Sequence, residues 1–311
     1  MSPREKFAAL LVAVLWGLNF PATAYALQHY PPIFAVALRF TLLLIPTLLF
    51  IPRPKVKWRW LLGTGLGLGV LQFAFLYVGM VAGMPAGLAS VVLQSSAPFT
   101  VVLAAIFLGE RLRRQQLIGV VIAVAGLSVI AWYRSHAAAL LPVVLTLCAG
   151  LGWAIGNLCS RQARAPKPIQ LTFWLSIVPP IPMLALSLLV EGPDRITEAL
   201  ETSLTRQALP ANLGMLYIVV CASILGYGIW NSLLSRHPSS QVAPWSMLVP
   251  VIGVFSSWLA FGEAPAPVEL AGGALVVAGV LFASLTLGRH RRTPTMSKNG
   301  PQSAASAASE A

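Results

Sequence analysis

The sequence predicts an all-α integral membrane protein with ten transmembrane helices, arranged as two inverted five-helix repeats. Three observations support this prediction: little charge, ten long apolar blocks, and an internal repeat. Hydrophobic residues make up 57% of the 311 residues and charged residues only 10%, whereas soluble domains carry roughly 25% charged residues. Such a composition favours a chain whose surface faces lipid.

Ten blocks are long enough to cross a bilayer, because about 20 mostly apolar residues span roughly 30 Å of hydrocarbon. Charges and prolines separate most of the blocks. The stretch from Trp60 to Gly109 contains no charged residue, so only its length, Gly83 and Pro85 divide it into two helices. The predicted spans are 7–27, 33–51, 60–80, 86–108, 115–133, 139–159, 169–190, 212–234, 240–262 and 267–288.

The internal repeat appears when the sequence is shifted by 153 positions, which aligns Gly109-Glu110 with Gly262-Glu263 and 124–126 with 277–279 without a gap. Each half contains five spans, and an odd number places the second half upside down relative to the first. We expect the first five-helix repeat at 1–135, the second at 136–289, and a disordered cytoplasmic tail, rich in Ser and Ala, at 290–311.

Basic residues predict the orientation, because cytoplasmic loops retain Lys and Arg during insertion. With a cytoplasmic N-terminus, seventeen of the 21 basic residues lie in inner segments and only Arg134, Arg195 and Arg206 in outer loops. Both termini are therefore expected to be cytoplasmic. The net charge of +12 then reports topology rather than a nucleic-acid partner. The longest outer connection, 191–210, is expected to be a short surface helix or an ordered loop.

Arg39 is the one basic residue inside a predicted span, about 9 Å along the helix from its outer end. An embedded charge costs at least ~2.5 kcal/mol on insertion scales. The side chain could snorkel to the outer interface or clamp backbone carbonyls. No Asp or Glu lies deep in a span, so an anionic substrate group is a further candidate to neutralise it.

Polar side chains recur on matching faces of the first and sixth spans, at helical spacing. These residues are Trp16, Asn19 and Thr23 in the first span, and Trp153, Asn157 and Ser160 in the sixth. Other spans add further donors and acceptors. Interhelical hydrogen bonds could explain any one of them, but together they predict a polar cavity for a small-molecule substrate. The predicted substrate-binding residues are Trp16, Asn19, Arg39, Gln72, Tyr77, Gln94, Ser95, Trp153, Asn157, Tyr227, Asn231 and Ser246.

Four residues are expected to have structural or gating roles. Pro98 and Pro250 each remove a helix hydrogen bond, which only surrounding protein or a cavity can compensate. Glu110 and Glu263 end matching spans of the two halves and are expected at helix contacts or gates.

Enzyme signatures are absent from the sequence. All four histidines fall in loops, and neither HExxH nor GxSxG occurs. The cysteines Cys148, Cys159 and Cys221 lie in apolar segments and indicate neither a disulfide framework nor a metal cluster. We therefore expect no enzyme, metal or cofactor. A membrane-embedded enzyme or lipid-handling protein is the alternative class, and the oligomeric state stays open.

The family resemblance is carried by LLVAVLWGLNF (10–20), ALRF (37–40), GMPAGLASVVLQ (83–94), LGERL (108–112), GYGIWNSLLSR (226–236) and VAPWSMLVPVIG (242–253). These segments resemble the drug/metabolite transporter superfamily and, more narrowly, the EamA-type O-acetylserine and cysteine exporters of bacterial inner membranes. The resemblance implies a secondary transporter that exports small amino-acid-like metabolites, cysteine and O-acetylserine among them, by alternating access. Export of other metabolites or drugs within the superfamily is the alternative that it leaves open.

Overall fold

The computed structural model describes residues 1–110, 112–136, 140–237, 239–262 and 264–284. These residues form helices joined by short connections, and no β-strand occurs among them. The helices are α1 Pro3–Ala26, α2 Pro32–Phe50, α3 Trp58–Val81, α4 Ala86–Leu108, α5 Arg114–His136, α6 Leu140–Ala163, α7 Pro168–Val190, α8 Pro193–Glu201, α9 Leu209–Arg236, α10 Pro244–Phe261 and α11 Pro267–Ser284.

Within the described residues, nine helices are long and apolar enough to cross a membrane, and Pro267–Ala283 of α11 is a shorter apolar segment. The prediction of ten membrane helices is confirmed, with α8 as the short surface helix of the 191–210 connection. The uncharged stretch divides where expected: Gly83 adopts a φ of +107° and Pro85 precedes α4. The predicted tail and Glu263 lie outside the described residues.

Helices that correspond in the repeat run antiparallel to each other. In the α4–α10 pair, Ser90 Oγ donates to the Pro250 carbonyl at 3.3 Å, whereas Gln94, one turn later, lies 3.6 Å from the sulfur of the earlier Met247. The α2–α7 pair is also antiparallel, because the start of α2 contacts Glu191 at the end of α7. Opposite directions for equivalent helices confirm that the halves are inverted.

The α5–α11 pair is held close by glycines. A Cβ added at Gly119 would lie 2.5 Å from the carbonyl oxygen of Gly279, and one added at Gly126 would lie 2.5 Å from that of Gly272. The repeat aligns Gly119 with Gly272 and Gly126 with Gly279. The Gly119–Gly279 and Gly126–Gly272 contacts are therefore equivalent under the repeat. Small residues permit such close approach in membranes, where dispersion rather than water exclusion drives packing.

We expect Gly126→Ala to destabilise the protein, because the new methyl group meets backbone rather than a movable side chain. Overpacking of this kind costs about 1–3 kcal/mol. Gly228→Ala is the matched control, since an added Cβ there meets nothing within 4 Å. Thermal unfolding of the purified protein in detergent should show a lower midpoint for Gly126→Ala alone. Equal midpoints for both variants would contradict the tight crossing.

Candidate functional site

A cavity of about 620 Å³ lies between the two halves. Its wall is formed by α1, α2, α3, α4, α6, α7, α9 and α10, while α5 and α11 pack on each other outside it. This volume is typical of sites for small molecules. Among the described residues, no group of three or more His, Cys, Asp and Glu side chains could hold a metal ion.

Most residues of the predicted substrate-binding set lie on the cavity wall. They are Trp16, Asn19, Arg39, Gln72, Gln94, Trp153, Asn157, Tyr227, Asn231 and Ser246. Tyr77 and Ser95 do not line the cavity, and both are 0% exposed. The Tyr77 hydroxyl instead accepts a hydrogen bond from Arg39. Ser95 closes a 3₁₀ turn and packs on Gly150 of α6, so that the next residue, Ser96, faces the cavity.

The Arg39 guanidinium lies at the closed, deep end of the cavity and is 3% exposed. Its Nη1 donates to Tyr77 Oη and its Nη2 to Ser223 Oγ, both at 3.1 Å. The Phe73 ring centroid is 4.0 Å from the guanidinium carbon. These neighbours come from α3 and α9, which excludes snorkelling to the interface.

All of these partners of Arg39 are neutral. The ion pairs among the described residues are Arg134–Glu269 and Arg161–Glu110, with His237–Glu5 as a third when the histidine is protonated. None of the described cavity-lining residues is Asp or Glu. The Arg39 Nε has no hydrogen-bond partner in the described part of the chain. The site therefore holds one buried positive charge with a free donor.

Two π-helical segments occupy equivalent positions of the repeat, Leu66–Leu71 in α3 and Ile218–Gly226 in α9. Ser223 lies within the second, where its Oγ donates to the Ile218 carbonyl at 2.8 Å and accepts from Arg39. Gln72 directly follows the first and lines the cavity. Such π-turns occur frequently at functional sites because they re-aim side chains.

One wall of the cavity is an aromatic cluster, defined here as Trp16, Tyr227 and Trp230. The Trp16 ring centroid lies 5.2 Å from that of Tyr227 and 5.1 Å from that of Trp230. Sequence reasoning missed Trp230, Ser223 and Ser90. Trp230 could have been found, because it lies one helical turn from Tyr227 on the same face.

The cavity reaches only one end of the helix bundle. From Arg39 it extends towards Ser160, Pro168 and Leu234, at the end of α6, the start of α7 and the end of α9. On the other side of Arg39 the helices pack closely, with Ile33, Phe34 and Met84 buried.

Glu191 is central to the closed side. Its carboxylate accepts hydrogen bonds from the backbone N–H groups of Ile33 at 2.7 Å and Phe34 at 2.9 Å, and from Ser187 Oγ at 2.5 Å. It thereby caps the N-terminus of α2, where the helix dipole favours negative charge. Because Glu191 belongs to the second half and α2 to the first, this contact joins the halves. Sequence reasoning placed Glu191 at the start of the 191–210 connection and missed this contact.

The other expected structural residues are located as follows. Glu110 pairs with Arg161 at 2.5 Å, and both side chains are about half exposed. The Pro250 carbonyl accepts from Ser90 Oγ, whereas Pro98 is buried beside the cavity wall. Glu263 lies outside the described residues.

We expect Glu191→Gln to loosen the closed side, because the amide keeps only one acceptor oxygen and its NH₂ group cannot accept the second backbone hydrogen bond. A loss of about 1 kcal/mol would raise the open population about fivefold. The readout is maleimide labelling of Ala35→Cys, a buried position on this side, in purified protein whose native cysteines are replaced. Glu198→Gln on the exposed face of α8 is the control. Unchanged labelling in Glu191→Gln would make Glu191 a static cap.

Comparison with known proteins decides the family. A model described as the EamA-like transporter family matches residues 4–132 and 140–285. The chain belongs to the EamA-like transporter family. Its ten helices make it a multi-pass membrane protein.

Relatives in the family cover nearly the whole chain. A protein of Salmonella typhimurium named "Probable amino-acid metabolite efflux pump" is 42% identical, over 96% of this chain and 100% of its own length. A protein of Escherichia coli with the same name is 38% identical, over 90% and 94% respectively. A "Probable terminal-alkyne amino-acid exporter" of Streptantibioticus cattleyicolor is 25% identical, over 93% and 96%.

One solved crystal structure shares the fold. It is 19% identical, and the match covers 91% of this chain and 98% of that one with a TM-score of 0.60.

Proposed function

We propose that this EamA-like transporter exports small amino-acid-like metabolites, with cysteine and O-acetylserine as the candidate substrates. The observation that supports this proposal most strongly is Arg39, a buried guanidinium without a carboxylate partner among the described residues. It lies at the deep, closed end of a cavity that opens at one end of the bundle. The relatives named amino-acid efflux pumps or exporters agree with it. The choice of cysteine and O-acetylserine rests on the resemblance of segments 83–94 and 226–253.

Arg39 would bind the carboxylate of the substrate. A guanidinium presents a planar set of donors that matches a carboxylate, and charge-assisted hydrogen bonds are roughly twice as strong as neutral ones. With Nη1 and Nη2 held by Tyr77 and Ser223, the guanidinium is already oriented, and Nε has no hydrogen-bond partner in the described part of the chain. A substrate carboxylate would therefore neutralise a charge that the protein leaves uncompensated. A cationic drug would instead meet a like charge here.

The size of the cavity suits a class of substrates rather than one compound. At about 620 Å³ it is much larger than cysteine, so side chains of different length could extend from a common carboxylate site. Recognition through the shared amino-acid group would explain how one chain exports several metabolites.

Transport would proceed by alternating access between the inverted halves. With both termini in the cytoplasm of a bacterial inner membrane, the described cavity faces the cytoplasm and the Glu191 contact closes the outer side. This is the state in which an exporter loads its substrate. Release would require the outer contact to separate while the halves close on the cytoplasmic side.

We expect Arg39→Gln and Arg39→Lys to reduce efflux of labelled cysteine and O-acetylserine from proteoliposomes by about tenfold or more. Gln removes the positive charge. Lys keeps the charge but loses the planar guanidinium, whose two Nη groups donate to Tyr77 and Ser223. Arg206→Gln, at an exposed position outside the cavity, should transport like the wild type. Wild-type rates in well-folded Arg39 variants would show that Arg39 is structural. Efflux no faster than from protein-free liposomes would refute these two substrates.

The proposed orientation predicts which engineered cysteines an impermeant maleimide can reach in intact cells. Glu201→Cys on α8 should be labelled, whereas Lys55→Cys between α2 and α3 should be protected until the cells are opened. Both positions are exposed, and the three native cysteines are replaced first. The reverse labelling pattern would place the termini, and the open side of the cavity, outside the cytoplasm.

A further inference from the structure

We propose that the aromatic cluster, together with Asn19, binds the ammonium group of the substrate. This inference rests on the proposed function, because it concerns the second charge of the same amino-acid substrate. An ammonium group that leaves water needs compensation. None of the described cavity-lining residues is acidic, so a carboxylate of the wall cannot supply it. Aromatic faces and neutral acceptors must do so instead.

The aromatic cluster has the properties that bind cations. Ring faces attract an ammonium group through their quadrupole, tryptophan most strongly, and the attraction increases away from water. Tyr227 and Trp230 each lie about 5 Å from the Trp16 ring, and all three residues line the cavity.

The orientation of the Trp16 indole is fixed by two features of α9. Its Nε1 donates to the carbonyl of Ala222, within the π-helical segment, at 3.0 Å. A Cβ at Gly226 would lie 2.6 Å from the same Nε1, so only glycine leaves room for the ring. Because its N–H is already used, the indole can offer its ring to a ligand.

The Arg39 contact and the aromatic cluster lie on neighbouring turns of α9. Ser223, which contacts the Arg39 guanidinium, precedes Tyr227 by four residues. The carboxylate carbon and the nitrogen of an α-amino acid are only about 2.5 Å apart. A substrate whose carboxylate is bound by Arg39 would therefore keep its ammonium group close to this turn of α9, and an ammonium group within about 6 Å of a ring centroid is attracted by the ring.

Asn19 supplies an acceptor beside the cluster. It lies one turn after Trp16 on the cavity face of α1, and its Oδ1 is buried without a donor in the described part of the chain. Buried acceptors are normally satisfied. A rotation about the last side-chain torsion would present this oxygen to an ammonium hydrogen. The site thus holds a free donor on Arg39 and a free acceptor on Asn19 for the two ends of a zwitterion.

The test compares binding of cysteine and N-acetylcysteine to the purified full-length protein. Both have the carboxylate and the thiol, but only cysteine has an ammonium group. We expect the wild type to prefer cysteine by about tenfold. Trp16→Leu should reduce this preference to less than about threefold, whereas Trp16→Phe, which keeps a ring, should retain most of it. Trp58→Leu, at an exposed position away from the cavity, is the control.

The outcomes separate this inference from the proposed function. Equal wild-type affinity for the two compounds would overturn the ammonium site while leaving amino-acid export intact. The ammonium site would also be overturned if Trp16→Leu and Trp16→Phe reduced the affinity for both compounds by the same factor. The ring would then pack only against the part of the ligand that the two compounds share. If the wild type bound neither compound, the proposed cysteine substrate would fail, and the ammonium site with it.

Discussion

A guanidinium buried between membrane helices must be solvated by the protein, because hydrocarbon cannot do so. Arg39 receives this solvation from the Tyr77 hydroxyl, the Ser223 hydroxyl and the Phe73 ring. Tyr77 and Phe73 belong to α3 and Ser223 belongs to α9. Helices α2, α3 and α9 must therefore converge at one point between the halves. The π-helical segment of α9 aims Ser223 at this point. Since the partners are neutral, the charge is oriented but not cancelled, and the cavity beside it can attract an anionic group.

The inverted repeat supplies the framework around that charge. Antiparallel pairing of α4 with α10 and of α5 with α11 makes the two halves equivalent in their packing, whereas the cavity is open at one end only. At the closed end, the buried side chains of Ile33, Phe34 and Met84 pack together, and Glu191 joins the two halves at the N-terminus of α2. Opening this end while the other closes would exchange these contacts for equivalent ones across the repeat. This is the physical basis of the alternating access that we propose.

The fold was largely predictable because membrane helices must be long, apolar blocks, and an odd number of them in each repeat requires inversion. Arg39 could be found because an embedded charge is conspicuous in such a chain. Tyr77 and Ser95 were included in the substrate-binding set because they are polar residues within predicted spans, and the sequence alone does not show which polar side chains line the cavity. The 3₁₀ turn at Leu93–Ser95 turns Ser95 away from the cavity. The role of Glu191 was missed because a cap on a distant helix is a tertiary contact that leaves no local pattern. Trp230 was missed because one tryptophan among nine in an apolar chain does not stand out.

The claim that Arg39 selects the carboxylate of the substrate is tested most directly by competition binding with cysteamine, which is cysteine without its carboxylate. We expect unlabelled cysteine to displace labelled cysteine from the purified wild-type protein. Cysteamine should fail to do so even in about 100-fold excess, because its net positive charge meets the guanidinium with no anionic group to compensate. Displacement by cysteamine at the same concentrations as cysteine would contradict a carboxylate site at Arg39.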